Sequence, residues 1–368
     1  MFSSIRRSDP GLPVRCAALA VALALLVLTH AGLEISARFA ERRLGAFLWK
    51  QQDYLRLFEG ANYVGQGRSR LLIYGPSEAR EGILPEELQR LLPDLRPYQH
   101  SQSIGTLEDG LLVLNYIEKA YGRSAIPEAI LLGITPRFVG NIRLQQSPLQ
   151  HGIGLYSPHF RLEGEGHPPT LVPKTGMDAL RARFALLGVQ PDRYRRGLFA
   201  IASGVLTTAV PSLASHRWTW GPIRPAKYLV GRWRADEAAT KRWLVEPDSF
   251  WRAVHAWEPE QSRERVIEEL RSLLAFAARY GSTVYVVNLP ELSWVSELFR
   301  PGRYEAYLAL VKEAIGDTPF LDLRTFLADG DFFDDAHPVW TAGIRVSHRI
   351  GEFIAEHRPR GPAAGSHR

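Results

Sequence analysis

The chain switches repeatedly between two hydrophobic periods, and the switching predicts its elements. Short unbroken apolar runs read as buried strands at Leu71–Tyr74, Ala129–Ile134, Thr283–Leu289 and Phe320–Leu323, with a further strand at Pro97–Ser101. Between them, apolar residues recur at helical spacing through Pro85–Leu92, Leu107–Ala120, Tyr304–Ile315 and Thr341–His357. The clearest helix is Gln261–Tyr280, where Val266, Leu270, Leu273, Leu274 and Ala277 share one face. Strands alternating with helices predict an α/β fold with three layers, a mostly parallel five-stranded sheet lying between helices. Reactive groups in such sheets gather at the carboxyl ends of the strands.

Two regions break this grammar. Residues 34–68 read as an amphipathic connector, partly helical through Arg38–Phe58, ending in a turn rich in glycine (Gly60, Gly65, Gly67). Residues 139–260 form a long insert with little clear periodicity. It carries Trp218, Trp220, Trp233, Trp243, Trp251 and Trp257 out of nine tryptophans in the chain. The mostly apolar stretch Leu198–Ser215 is broken by Ser203, Gly204, Thr207, Thr208 and Pro211, which makes it a poor membrane span. A Gly/Pro/Arg tail over 358–368 is expected to be disordered.

The N-terminus changes the picture. From Cys16 to Leu33 the sequence carries no formal charge, and about 20 apolar residues suffice to cross a bilayer as a helix. Arg6, Arg7 and Arg15 precede the run, so the positive-inside rule leaves a cytoplasmic stub and sends the rest of the chain outward. Residues 1–33 are therefore expected to be a stub and single-pass anchor in the inner membrane, with the bulk periplasmic or otherwise extracytoplasmic. A cleaved signal peptide ending near Ala31 is the competing reading, against which His30 makes a poor cleavage site.

Composition narrows the classes further. With 45% hydrophobic residues in 368, the chain can bury a substantial core. The net charge of +6 comes from scattered arginines without a dense basic run, which argues against a nucleic-acid partner. The single cysteine excludes an internal disulfide framework and any multi-cysteine metal site, and no cofactor is implied.

Three segments carry candidate chemistry. Gly75-Pro76-Ser77-Glu78-Ala79-Arg80 follows the first strand, so Ser77 stands on a strand-to-helix turn where a helix N-terminus favours developing negative charge. A capping role for Ser77 is the simpler alternative. Asp334-Asp335-Ala336-His337 precedes the last helix, and a serine nucleophile needs both a base and a carboxylate to orient that base. Gly105 and Gly133 follow the second and third strands, where a backbone N–H can approach a substrate oxygen closely. Arg80 and Arg137 could clamp an anionic substrate group, or pair with Glu78, Glu81 or Glu108. Trp218 and Trp220 could stack on sugar rings or simply be buried. A metal-dependent phosphoesterase built on Asp334, Asp335 and His337 would need further clustered ligands.

The order of these segments resembles the SGNH (GDSL-like) hydrolase superfamily. More narrowly, it is similar to the membrane-anchored extracytoplasmic branch that includes teichoic-acid D-alanylation and alginate-type O-acetylation proteins. The resemblance covers about 69–138 and 262–355. It rests on Gly75–Arg80 with Ile83–Leu88, on Leu131-Leu132-Gly133-Ile134-Thr135-Pro136-Arg137-Phe138, and on Asp334-x-x-His337 followed by Trp340-Thr341-Ala342-Gly343. It implies a flavodoxin-like domain over 69–138 and 261–357, with Ser77 as nucleophile, His337 as base and Asp334 as its partner. It also implies an oxyanion hole from the N–H groups of Ser77 and Gly105, with Thr135 at the third position. Two positions depart from the family: Pro76 stands where it has aspartate, and Thr135 where it has asparagine, so Asn141 or Arg137 could supply a missing donor. The function implied is acyl transfer or ester hydrolysis on a cell-envelope glycan or glycolipid, with a membrane-bound acyl-donor protein as a candidate partner. The alternative is an assembly or binding protein that keeps the fold with little turnover.

Overall fold

The computed structural model describes residues 57–58, 60, 69–102, 105–140, 147–164, 169–186, 258–293, 301–332 and 336–358, with isolated helical positions between 17 and 32. In chain order these hold β1 (Ser69–Tyr74), α1 (Ser77–Gly82), α2 (Pro85–Leu91), β2 (Leu95–Gln99), α3 (Leu107–Tyr121), β3 (Ala129–Ile134), α4 (Pro136–Gly140) and α5 (Pro148–Tyr156). There follow β4 (Phe160–Glu163), β5 (Thr170–Pro173), α6 (176–186), α7 (Arg263–Tyr280), β6 (Thr283–Asn288), α8 (Arg303–Ile315), β7 (Phe320–Asp322) and α9 (Trp340–His357).

Five strands form one sheet in the order β2-β1-β3-β6-β7, and every pairing is parallel. The apolar runs are continuous because both faces of the central strands are covered. Leu72 and Tyr74 of β1, Ile130, Leu132 and Ile134 of β3, and Val284 and Val286 of β6 face one core with α3, α7 and α8. Leu71, Ile73, Leu131, Tyr285 and Val287 face the other, with α1, α2 and α9. The apolar face of α7 is built from Val266, Ile267, Leu270, Leu273, Phe276 and Ala277. Gly281, in the left-handed region at φ 71°, ends that helix and returns its N–H to the carbonyls of Ala277 and Ala278.

Two expectations need correction. The second strand is Leu95–Gln99, two residues earlier than its sequence suggests. Pro97 therefore lies inside it, which is tolerated because β2 is an edge strand whose outward side needs no donor. The insert also begins with regular structure: α5, the antiparallel β4–β5 pair and α6. Its strands are four residues each and α6 leaves Met177, Leu180 and Phe184 exposed, so no long period marks them.

The end of the expected connector belongs to the domain. Leu57 and Phe58 are buried in the α3 core, and Tyr121 donates a hydrogen bond to the Leu57 carbonyl. The helical positions between Ala17 and Gly32 are exposed, with Val21 and Leu25 at 59% and Leu28 at 67%. Among the described residues no helix is long and apolar enough to cross a membrane. The rest of the connector, 187–257 of the insert and 359–368 of the tail lie outside the described residues, whereas Arg358 follows α9 and pairs with Asp94.

Candidate active site

The strand order reverses direction between β1 and β3, so the crevice at their carboxyl ends is where an open parallel sheet receives ligands. Ser77 stands there as the first residue of α1, half-buried, after Pro76 in extended backbone. The turn is tight. A Cβ on Gly75 would stand 2.6 Å from the Gly133 carbonyl oxygen and 2.7 Å from Ala79 Cβ, so only glycine lets β1 pass β3 into α1.

The chain leaving β2 is fastened to this turn. His100 donates its N–H to Ile73 O at 2.8 Å, and Gln102 donates its own to Gly75 O at 3.0 Å. The Tyr74 hydroxyl donates to Thr106 O at 2.8 Å, which brings Gly105 to the exit of β1. Thr106 and Asp109 cap α3 reciprocally, and Ser147 at the head of α5 donates to the same Asp109 carboxylate at 2.8 Å. The start of the insert is thereby pinned to the rim of the site.

Of the expected triad, Ser77 and His337 are described and Asp334 is not. His337 is half-buried at the end of a loop closed by the Phe332–Pro338 bridge and by Val339 N–H donating to Asp331 O at 2.8 Å. That loop packs on the serine helix: a Cβ on Gly82 would stand 3.1 Å from Pro338 Cγ. Helix α9 follows directly and crosses α1 at Gly343, where a Cβ would meet Glu81 O at 3.3 Å. The serine and histidine segments thus meet through α1, although they are far apart in sequence.

Two of the three expected oxyanion donors have contacts within the fold. Gly105 N–H donates to Gln102 O at 3.4 Å. The Thr135 hydroxyl, fully buried, accepts from Phe138 N–H at 3.1 Å and so caps α4. Asn141, Trp218 and Trp220 lie outside the described residues.

No protein-family model and no curated protein matches the chain.

The arginines at the site are held in ion pairs. Arg80 Nε donates to Glu81 Oε1 at 3.0 Å, and Arg137 lies 3.5 Å from Glu78 Oε1. The other Glu78 oxygen accepts from the Ser77 hydroxyl at 3.0 Å, so the serine is linked through Glu78 to Arg137 on α4. A second carboxylate, Glu291, follows β6 and is only 4% exposed, with neither oxygen hydrogen-bonded. Burial pushes its carboxyl up to about 7. Arg137 opposes the shift, and Glu78 adds to it. The Arg137–Glu78 pair is the salt-bridge alternative the sequence offered for that arginine, whereas Glu291 was not among the expected site residues. A charged residue just behind a largely apolar strand, in Leu289-Pro290-Glu291, was the available signal. Farther along the sheet edge, Asn288 donates to Tyr304 and Asp322 at 2.7 Å each and accepts from Tyr307, a satisfied structural network. Among the described residues no group of three His, Cys, Asp or Glu side chains could hold a metal ion.

Proposed function

We propose that the protein is a membrane-anchored SGNH-type enzyme with a flavodoxin-like three-layer catalytic domain, performing serine-dependent acyl transfer on a cell-envelope glycan or glycolipid outside the cytoplasm. The observation that carries this reading is the meeting of the Ser77 turn and the His337 loop on helix α1, at the carboxyl ends of β1 and β3. In the reaction, Ser77 Oγ attacks the ester carbonyl carbon and His337 takes its proton, while the C=O π pair moves onto oxygen. The tetrahedral intermediate collapses to an acyl-enzyme, and the leaving alcohol departs with the proton from His337. A glycan hydroxyl or water then repeats the sequence in reverse. Asp334 supplies the carboxylate that orients His337 in this scheme. For this to begin, the Ser77 hydroxyl must turn from Glu78 toward His337.

The test is hydrolysis of p-nitrophenyl acetate by the full chain in detergent, beside Ser77→Ala and His337→Ala. Turnover lost in both variants supports the triad. Turnover unchanged in either variant removes that residue from the mechanism.

A second reading, an SGNH-fold assembly or binding protein, is favoured by three engaged groups: Ser77 bonded to Glu78, Gly105 N–H to Gln102, and the Thr135 hydroxyl to α4. Labelling of wild type but not Ser77→Ala by a fluorophosphonate probe separates the two readings in favour of the enzyme.

A further inference from the structure

One polar side chain at the site has no role in the scheme above. Gln102 follows β2, and its side chain is 4% exposed, yet neither Nε2 nor Oε1 has a hydrogen-bond partner. Burial strips water from a carboxamide, and a fold that gains nothing in return is destabilised by it. Its neighbours do not share this condition. Gln99 Nε2 donates to Ala79 O and Ile83 O, and Ser101 Oγ donates to Gln99 Oε1 at 2.7 Å. The unpaired state sets Gln102 apart from Gln99 and Ser101 beside it, and Glu291 behind β6 shares it.

Its place is also particular. The Gln102 backbone N–H holds Gly75 O, two residues before Ser77, and its carbonyl accepts from Gly105 N–H. Gln102 Cβ lies 3.5 Å from the position a Cβ would take on Gly105. The root of the side chain is therefore set between the serine turn and the glycine whose N–H the reaction calls for. The third expected donor, Thr135, offers only a short hydroxyl, whose oxygen accepts from Phe138 N–H, and carries no amide.

We infer that Gln102 is a catalytic residue of the Ser77 site: its Nε2–H donates to the carbonyl oxygen of the acyl group as that oxygen becomes an oxyanion. This rests on the acyl-transfer reading and completes it. When Ser77 Oγ bonds to the carbonyl carbon, the π pair moves to oxygen and Gln102 supplies the partner for the new charge. When the intermediate collapses, the pair returns and the hydrogen bond weakens. The interaction is strongest in the transition state, which is where a donor accelerates the step.

The experiment uses the full chain in detergent with Gln102→Met, which keeps the length of the side chain and removes both polar ends. For p-nitrophenyl acetate we expect kcat to fall about 100-fold with KM changed by less than about 3-fold. The thermal midpoint should stay level or rise, because an apolar side chain replaces a buried unpaired amide. Phenylboronic acid, which forms a tetrahedral adduct on the serine, should inhibit Gln102→Met about 100-fold less tightly. Wild-type kcat in Gln102→Met, alongside Ser77-dependent turnover in the parent, overturns the role of Gln102 and leaves the triad standing. A midpoint lowered by more than about 5 °C marks the amide as structural and overturns the proposal as well. Absence of Ser77-dependent turnover in the parent overturns both readings together.

Discussion

A methyl group at position 75 would reach within 2.6 Å of the Gly133 carbonyl, and neither that oxygen nor Ala79 Cβ is the end of a flexible side chain. Backbone must move to admit it, so Gly75→Ala should cost about 2 kcal/mol or more of folding free energy, read from the denaturant midpoint. An unchanged midpoint would show that β1 and β3 do not approach so closely. Glu291 gives a second residue-scale prediction, with a sign. Its ordinary value is 4.5 and burial raises the folded value to about 7. Between those values the folded protein keeps a proton that the unfolded chain has released, so stability falls as pH rises through the window and levels off above it. The total is on the order of 3 kcal/mol. Glu291→Gln should flatten the stability profile between about pH 4.5 and pH 7 and stabilise the protein at pH 8; an unaltered slope would assign it to another group. The positions of Ser77 and His337 at element ends were legible from sequence because each sits in a short local pattern beside a strand or helix end. Glu291 and Gln102 were not, because what sets them apart is the loss of water and partners. Segments distant in sequence impose that loss. Thr135 was legible as a polar group at the right strand end, but its use as a helix cap depends on where Phe138 N–H points.

At the scale of elements, helix α9 is what keeps the histidine loop against the serine helix. It touches α1 at Gly343, and Ser347 Oγ accepts the Leu84 N–H at 2.8 Å where α1 passes into α2. Ser347 and Leu84 are both fully buried, so removing that oxygen leaves the Leu84 N–H without its partner. Ser347→Ala should therefore destabilise the protein by about 1–3 kcal/mol, measured by urea unfolding. It should slow Ser77-dependent ester hydrolysis more than its loss of stability accounts for. A substitution within about 0.5 kcal/mol of wild type would mean that α9 is held by its apolar face alone. That face, with Ala342, Val346, Ile350, Phe353 and Ile354, was readable because its apolar residues recur at helical spacing over 18 residues. The same holds for α7, and both were placed in sequence to within a few residues. Strand β2 was expected to start at Pro97, whereas at the sheet edge that proline is an interior residue. The α5–α6 region escaped because four-residue strands and a largely exposed helix leave no sustained period to detect.

For the whole molecule, strand–helix alternation announced a parallel sheet, but the order β2-β1-β3-β6-β7 follows from which faces bury together and only becomes visible in the fold. That order matters because it sets the crevice between β1 and β3, where Ser77 and the Gly105 turn meet. The N-terminal run bears on where this crevice operates. Val21, Leu25, Val27 and Leu28 are exposed by 59–67%, a contiguous apolar helix surface that water solvates poorly. With the uncharged stretch from Cys16 to Leu33 behind three arginines, this is the surface that the proposed membrane anchor would bury in lipid. A bilayer-spanning helix resists alkaline carbonate and high salt because its apolar contacts do not depend on charge, whereas a peripheral contact through basic residues is screened and released. The full chain should therefore stay in the membrane pellet after carbonate washing and enter solution only with detergent, and a version beginning at residue 34 should be soluble without it. Release of the full chain by carbonate would rule out a span. A mature protein whose mass begins just after Ala31 would identify the run as a cleaved export signal, and an acyl-transfer site so released would meet soluble glycans instead of lipid-linked ones.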